Sequence, residues 1–231
     1  MPYKINNEID LLFWRNKFSS DLKCRVSNLL NLDSAHLIKS KIQNYAEFKQ
    51  AHIAGKQYSE ISKEEFKQLE ANERLSLIKS VHKQASNGVG FWYGRQGLNQ
   101  NSPTHLASIY NLLSSEEMMS NVREITGISS LAYLSAQLTA FAPGDFITRH
   151  KDDVSSEKRR VAFVYNLSEN WHPDWGGLLQ FYKNDGSPTE SWTPQYNSLC
   201  LFDVKHIHSV TCVAPFAPKL RIAISGWFHD R

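Results

Sequence analysis

The stretch LAYLSAQLTAFAPGDFITRH, residues 131–150, shows how the second half of the chain is organised. Its first part alternates apolar with small polar residues, Pro143-Gly144 interrupts it, and a second short run follows. Alternation of period two, broken by turn residues, is typical of two antiparallel strands. Further runs of this kind lie downstream: RRVAFVYNL (159–167), GGLLQFY (176–182), NSLCLFDV (197–204), HSVTCVAP (208–215) and RIAISGWF (221–228).

These seven or eight short strands predict a β-sandwich or a jelly roll. No helical segment separates them, whereas a parallel βαβ sheet needs a helical crossover between successive strands. We therefore predict a mainly β fold with a helical N-terminal part, whose core is a double-stranded β-helix, or jelly roll, supported by helices.

Helical signals dominate the chain before this region. Ser62 to Glu65 forms a capping-box pattern that predicts a helix continuing through Val81. A second capping box, Ser114 to Glu117, predicts a helix that ends at Gly127. Between the two helices, GVGFWYG (88–94) reads as a strand.

The chain shows no linker rich in Pro, Gly or Ser between its helical and β parts. We therefore predict two regions that pack together. Residues 1–104 form a helical N-terminal extension packed on the core, and residues 105–231 form the jelly-roll domain.

Composition narrows the class of protein. Of 231 residues, 41% are hydrophobic and 21% charged, as in ordinary globular proteins. The formal net charge of +3 is small, with Lys and Arg dispersed, so we expect neither a nucleic-acid nor a membrane partner. Cys24, Cys200 and Cys212 form no disulfide framework, and no signal peptide is recognisable, so we expect a cytoplasmic protein.

Two His-x-Asp tripeptides offer a histidine and a carboxylate that can converge on one metal ion. They are His150-Lys151-Asp152, at the end of a predicted strand, and His172-Pro173-Asp174, inside a turn-rich loop. We prefer the first because of its place in the β region. A non-haem Fe(II) oxygenase holds its metal with two histidines and one carboxylate and leaves the opposite face open.

A third ligand must come from a distant strand that the jelly roll brings back beside His150. His208, at the start of HSVTCVAP, is well placed, and His206 is the competing candidate. Arg221 opens the last strand, which is otherwise apolar. A guanidinium there can hold the distal carboxylate of 2-oxoglutarate by two parallel hydrogen bonds.

Residues 105–229 resemble the catalytic jelly roll of the prolyl 4-hydroxylase superfamily of Fe(II)- and 2-oxoglutarate-dependent dioxygenases. Within it, the similarity is strongest to the prolyl hydroxylases that modify a small-subunit ribosomal protein. The matching pieces are HKDD (150–153), RRVAFVYNL (159–167), WGGLLQFY (175–182), NSLCLFDV (197–204), HSV (208–210) and RIAISGWF (221–228).

The resemblance implies that His150, Asp152 and His208 bind iron and that Arg221 binds the distal carboxylate of 2-oxoglutarate. The family often has a cosubstrate-binding tyrosine where this chain has Phe141. That hydroxyl is therefore either missing here or supplied from elsewhere, with Tyr133 and Tyr165 as the candidates.

The function that follows is a hydroxylase using Fe(II) and 2-oxoglutarate, with ascorbate as an optional reductant. Its expected substrate is a prolyl residue of a ribosomal protein or a translation factor. The alternatives are a tailoring hydroxylase of a free amino acid or small metabolite, a nucleic-acid demethylase and a non-catalytic jelly roll that binds a partner. The sequence predicts no oligomeric state.

Overall fold

The computed structural model describes residues 3–231, apart from the side chain of Ser155, and combines six α-helices and two short 3-10 helices with twelve strands over that range. The helices are α1 (Leu11–Asp21), α2 (Leu32–Tyr45), α3 (Lys63–Gln68), α4 (Ala71–Ser86), α5 (Thr104–Leu113) and α6 (Glu116–Thr126). The strands are β1 (Lys23–Val26), β2 (Lys49–Ala54), β3 (Gln57–Ile61), β4 (Phe91–Leu98), β5 (Leu131–Phe141), β6 (Phe146–His150), β7 (Arg159–Asn166), β8 (Leu179–Tyr182), β9 (Pro188–Trp192), β10 (Ser198–Asp203), β11 (Ile207–Val210) and β12 (Arg221–Asp230).

The strands form one antiparallel sheet in the order β1-β10-β7-β12-β5-β4-β6-β11-β8-β9, with β2 attached to β4 and β3 attached to β2. The last strand, β12, lies between β5 and β7, and β11 lies between β6 and β8. Strands distant in sequence are therefore neighbours in space. The predicted fold class, mainly β with helices in the N-terminal part, is confirmed.

Alternation along β7 shows how the curled sheet separates two apolar layers. Val161, Phe163 and Tyr165 are buried in the cluster that includes residues of α2, α5 and α6. Ala162 and Val164 are buried on the opposite side, in a cluster with residues of β8 and β10. Because β7 is covered on both faces, all of its residues from 161 to 166 are buried.

The helix predicted from Ser62 through Val81 is two helices. The capping box of Ser62 and Glu65 opens α3 as expected, but the backbone is extended at Leu69. At Glu70 the chain begins α4, where Glu73 accepts a hydrogen bond from the backbone N–H of Glu70 at 2.9 Å. A second local cap therefore competes successfully with continuation of the first helix.

The helix after Leu113 begins one residue later than predicted. Ser115, and not Ser114, is the N-cap of α6, and its hydroxyl accepts a hydrogen bond from the N–H of Met118 at 3.3 Å. The helix ends at Gly127, as predicted, because its φ of 70° is one that glycine adopts without strain.

The first 104 residues also contribute strands to the sheet. The strand predicted from GVGFWYG is present as β4, whereas β1, β2 and β3 were not predicted. β1 pairs with β10, placing Cys24 opposite Leu201, and β4 pairs with β5 and β6. The division of the chain at residue 104 stays a prediction. Within residues 3–231, no helix is both long enough and apolar enough to cross a membrane.

Candidate active site

Two histidines face each other across neighbouring strands. His150 is the last residue of β6, His208 lies on β11, and the two are direct antiparallel partners. Their ring centroids are 4.3 Å apart. Asp152 follows two residues after His150, and its backbone N–H donates to the carbonyl of Val204 at 3.1 Å. The sheet thus brings His208 beside His150 and Asp152, which lie far from it in sequence.

The three side chains converge on one point. The Nε2 atoms of His150 and His208 each lie 3.4 Å from an oxygen of Asp152, and each histidine approaches a different oxygen. One candidate ligand atom from each residue lies within 4.8 Å of the other two. Two imidazoles and one carboxylate in this arrangement form the donor set that non-haem Fe(II) sites use.

Backbone carbonyls fix the orientation of both imidazole rings. Nδ1 of His150 lies 2.9 Å from the carbonyl oxygen of Thr148, and Nδ1 of His208 lies 3.0 Å from that of His206. In both cases Nδ1–H donates, which leaves the Nε2 lone pair directed at the metal position. Such partners are usual for histidine ligands and hold the correct tautomer.

Burial and charge prepare His208 and Asp152 for metal binding, whereas at His150 the effect of burial is outweighed by the hydrogen bond and charge of Asp152, which raise the histidine pKa. Burial holds the pKa of His208 well below its usual range, at about 4, so this ring is neutral at neutral pH. Burial also acts on Asp152, but the neighbouring His208 and His150 outweigh it and lower the carboxyl pKa to about 2. A neutral imidazole and an ionised carboxylate are the forms that bind a cation.

Arg221 is buried without an anionic partner. Its side chain is 2% exposed, its guanidinium lies 5.1 Å from the centre of the Phe141 ring, and its Nε has no hydrogen-bond acceptor among the described residues. Burial lowers its pKa to about 10. Because an unpaired buried charge is costly, the structure is suited to an anion that enters the cavity beside Arg221.

The glycine pair of the WGG motif leaves room for this arginine. Gly177 has a φ of +63°, and a Cβ atom there would lie 2.9 Å from Cδ of Arg221. Gly176 has a φ of +66°, and a Cβ atom there would lie 2.0 Å from the carbonyl oxygen of Cys212. Both backbone conformation and space therefore require glycine at these positions.

One cavity joins the metal-binding triad to Arg221. Its walls are largely aromatic and aliphatic side chains from both halves of the sheet: Tyr93, Phe141, Ile147, Val164, Leu179, Phe202 and Trp227. Gln137, Thr139 and Ser225 add polar groups to one wall. A mostly apolar, concave site with a few convergent polar groups is typical of small-molecule sites.

Neither tyrosine expected to assist 2-oxoglutarate lies in this cavity. The hydroxyl of Tyr165 donates to Asn197 at 2.8 Å in the helix-facing core, because its neighbour Val164 takes the cavity face of β7. Tyr133 is half exposed and stacks on His229, eight residues along β5 from Phe141. The structure thus corrects both assignments.

Tyr93 is the cavity tyrosine that the sequence did not reveal. It lies on β4, is 7% exposed and stacks face to face on Phe141, with the ring centroids 5.0 Å apart. A strand was predicted there, but nothing in the sequence indicated that β4 would pair with β5.

The rival metal-binding candidates lie elsewhere. His172 and Asp174 are both exposed, and the histidine side chain accepts a hydrogen bond from the backbone N–H of Asp174. His206 contacts the backbone carbonyl of Asp21 through Nε2 at 2.9 Å. In the described chain, only His150, Asp152 and His208 form a cluster that could hold a metal ion.

Arg159 packs on Trp227, which lines the cavity. The guanidinium of Arg159 lies 3.6 Å from the centre of a Trp227 ring and forms an ion pair with Glu157 at 2.7 Å. The indole N–H of Trp227 is buried and has no acceptor among the described residues. Arg160, by contrast, is exposed and pairs with Asp230.

Comparison with known proteins agrees with this site. Residues 136–229 match the family model of the 2OG-Fe(II) oxygenase superfamily, and this segment contains all four candidate residues. The resemblance predicted from the sequence is confirmed. The matched segment is similar to 2OG-Fe(II) oxygenase domains, and the buried donor set and the unpaired Arg221 fit the Fe(II) and the 2-oxoglutarate that give this family its name.

Two curated relatives are prolyl hydroxylases. The chain is 26% identical to prolyl 3-hydroxylase OGFOD1 of Mus musculus over 168 residues, which cover 70% of this chain and 30% of that protein. It is 28% identical to prolyl 3,4-dihydroxylase OGFOD1 of Ostreococcus tauri over 123 residues, 48% of this chain and 23% of that protein. The chain thus spans less than a third of the length of either relative.

Solved structures of prolyl hydroxylases share the fold. A prolyl-4-hydroxylase from Pseudomonas putida superposes with a TM-score of 0.62 at 16% identity, covering 96% of this chain and 99% of that one. A prolyl hydroxylase from Trichoplax adhaerens, in complex with a peptide fragment of hypoxia inducible factor, superposes with a TM-score of 0.67 at 17% identity, covering 95% and 89%. At these identities the likeness shows the fold alone.

Proposed function

We propose that the protein hydroxylates a prolyl residue of a protein substrate, with residues 105–231 as the catalytic domain. The observation that carries this proposal is the single cavity in which His150, Asp152 and His208 converge and Arg221 lies buried without an anion. A structural jelly roll would have no reason to keep an unpaired guanidinium beside three converging ligands.

Each residue has a distinct part in this scheme. His150, Asp152 and His208 would hold Fe(II), and Arg221 would bind the distal carboxylate of 2-oxoglutarate. The bound metal and cosubstrate supply the oxidising chemistry that inserts one atom of dioxygen into a C–H bond. The surrounding protein orients the substrate carbon and keeps bulk water away through its aromatic walls.

The identity of the two curated relatives supports a prolyl substrate in a protein. We propose a ribosomal protein or a translation factor, as the sequence resemblance implies. We also propose a cytoplasmic enzyme, in line with the three cysteines, all of which are free. The tailoring of a small metabolite remains the alternative that the experiment must separate.

The metal and the cosubstrate are tested first. Anaerobic titration of the protein with Fe(II) and 2-oxoglutarate should produce the visible charge-transfer absorption band of an iron-bound 2-oxo acid. Asp152→Ala should abolish the band. The matched control is Asp174→Ala, which alters the other His-x-Asp tripeptide, and it should leave the band intact. Folded wild-type protein without a band would contradict the site.

The substrate is tested next. Wild-type protein is incubated with Fe(II), 2-oxoglutarate, ascorbate and a mixture of ribosomal proteins, and mass spectrometry follows the gain of one oxygen at proline. A gain that the Asp152→Ala variant does not produce supports the proposal. Oxidation confined to added free amino acids would instead favour the tailoring enzyme.

A further inference from the structure

A row of polar side chains crosses the inner face of the sheet, from the β2–β3 hairpin to the cavity. We call Glu60, Arg95, Gln137 and Ser225 the polar row. They lie on β3, β4, β5 and β12, which together with β2 are consecutive in the order β3-β2-β4-β5-β12. The remaining strand, β2, contributes Ala51, whose small side chain lies opposite both Glu60 and Tyr93.

Arg95 is held at its outer end by the hairpin. Its Nη1 lies 2.5 Å from Oε1 of Glu60 and donates to the hydroxyl of Tyr58 at 3.0 Å. The Tyr58 hydroxyl in turn donates to Glu60. The side chains of Arg95 and Glu60 are 32% and 28% exposed, so both are largely shielded from solvent. Because Arg95, Glu60 and Tyr58 are hydrogen-bonded to one another, the guanidinium is restricted to one position.

At its inner end Arg95 fixes the amide of Gln137. Its Nε donates to Oε1 of Gln137, so the amide nitrogen of this glutamine must point the other way, where it donates to the hydroxyl of Ser225 at 3.2 Å. Gln137 is 7% exposed and lines the cavity together with Ser225. A distant ion pair thereby sets the orientation of a polar group inside the site.

Tyr93 stands beside this amide with an unused donor. The Gln137 side chain acts on this hydroxyl as a hydrogen-bond donor, and among the described residues no acceptor takes the Tyr93 O–H, although the residue lines the cavity. Burial raises the pKa of Tyr93, and the charge of Arg95 and the Gln137 side chain act in the opposite direction, so these groups are close neighbours. The phenol is therefore protonated at neutral pH and can donate.

The position of this donor favours the substrate over the cosubstrate. Phe141 lies on β5 directly opposite Arg221 on β12, and on its other side it stacks on Tyr93 of β4. The Phe141 ring thus separates Tyr93 from the guanidinium that would take 2-oxoglutarate. The polar row instead leads towards Tyr58, which is 51% exposed, and hence towards solvent.

We propose that Tyr93 and Gln137 form a carbonyl-binding pair that positions the target peptide, and that Arg95 is a positioning residue which holds this pair in place. The inference rests on the proposed function. The acceptor is a peptide carbonyl oxygen next to the prolyl residue, to which Tyr93 donates while Gln137 supports its hydroxyl. A carboxylate oxygen of 2-oxoglutarate has similar acceptor chemistry, so the test must separate the two.

The test uses the mixture of ribosomal proteins as substrate and follows two readouts. Oxidised proline is measured by mass spectrometry at low and at high substrate concentration, and succinate is measured at varied 2-oxoglutarate. Tyr93→Phe removes only the hydroxyl and keeps the stack on Phe141. It should lower hydroxylation at low substrate by about 3- to 10-fold, the usual worth of one hydrogen bond, with little loss at high substrate.

Arg95→Met should cause a similar loss, and the double variant with Tyr93→Phe should cost no more than either change alone. Such non-additivity is expected of residues that act through one another, whereas the losses would be additive if each substitution only damaged packing. Arg160→Met is the matched control, because Arg160 also forms a 2.5 Å ion pair, but with Asp230, which does not line the cavity. It should hydroxylate like wild type.

Gln137→Glu provides a second route if Arg95→Met does not fold. It keeps the acceptor for Arg95 but removes both amide N–H donors, and it should reproduce the Tyr93→Phe loss. A rise in the KM for 2-oxoglutarate in these variants would overturn the inference and assign the pair to the cosubstrate. Unchanged hydroxylation would show that Tyr93 and Gln137 contribute only to packing. Wild-type protein that forms succinate without oxidising any protein would refute the proposed substrate and this inference together, whereas absence of succinate would refute the site itself.

Discussion

The guanidinium of Arg221 lies 5.1 Å from the centre of the Phe141 ring, and no acidic side chain in residues 3–231 forms an ion pair with it. A fully buried cation beside an aromatic face keeps little of its hydration energy. The protein without ligand is therefore less stable than its packing alone would allow. An anion that binds Arg221 compensates its charge and recovers the lost stability.

Arg221→Met should separate binding from stability. We expect the apparent affinity for 2-oxoglutarate to fall about 10- to 100-fold, since a charge-assisted bidentate contact is lost. The free energy of unfolding without 2-oxoglutarate should instead rise by about 1–3 kcal/mol, because a buried unpaired charge is removed. Titration by the charge-transfer band and urea unfolding measure the two effects. Loss of both affinity and stability would argue that Arg221 is a packing residue.

Gly177→Ala should weaken cosubstrate binding although it replaces neither a metal-binding residue nor Arg221. Its φ of +63° makes any side chain strained, and the new Cβ would contact Cδ of Arg221. The matched control is Gly127→Ala, since Gly127 has a φ of +70° but nothing within 4 Å of its Cβ position. Both should lose about 1 kcal/mol of stability. Only Gly177→Ala should also raise the concentration of 2-oxoglutarate that half-saturates the protein.

Asp145 should make the stability fall as pH rises. Burial raises the pKa of this carboxyl from 3.8 to about 7, although it accepts hydrogen bonds from Ala142 and Gln50. The folded protein therefore holds the proton more tightly than the unfolded chain does, and this contribution is complete below pH 3.8 and lost as the pH rises towards 7. The slope is at most about 1.4 kcal/mol per pH unit.

Asp145→Asn removes this titration and should flatten the profile of unfolding free energy against pH over that window. Asp174→Asn is the control, because that carboxyl is exposed, and it should preserve the slope. The measurement is urea unfolding at several pH values between 4 and 8. Identical slopes in wild type and Asp145→Asn would show that a group other than Asp145 causes the pH dependence.

His206 and His208 should respond differently to replacement by alanine. His208→Ala should abolish Fe(II) binding, because one of three converging ligand atoms is lost. His206→Ala removes a side-chain contact with the carbonyl of Asp21 and an edge-to-face contact with Phe181, and should cost about 0.5–1.5 kcal/mol of stability. Calorimetric titration with Fe(II) under anaerobic conditions distinguishes them. If His208→Ala kept iron and His206→Ala lost it, His206 would be the metal-binding residue in place of His208.

Much of this site could be predicted because its ligands occupy local patterns. The spacing of His150 and Asp152 and the position of Arg221 at a strand start are visible in the sequence. Tyr165 could not be placed in the same way, because β7 is covered on both faces and its hydrophobic pattern carries no alternation. Tyr133 is eight residues from Phe141, which at about 3.3 Å per residue puts it about 26 Å away along β5.

Tyr93 and the polar row depend on strand pairings that bring together residues far apart in sequence. Arg95 meets Gln137 across 42 positions and Glu60 across 35. Neither spacing corresponds to a local motif. The sequence predicted β4 as a strand, but its neighbours follow from the closure of the whole sheet.

The pairing of β1 with β10 has a consequence for how the molecule avoids aggregation. β10 is buried along almost its whole length, and β1 covers the backbone edge that β10 would otherwise present. An apolar strand with a free edge is a template for pairing with another chain. Lys23–Val26 therefore protect β10, a strand that is synthesised much later. If β1 were bound elsewhere during folding, the edge of β10 would be free to pair with other chains.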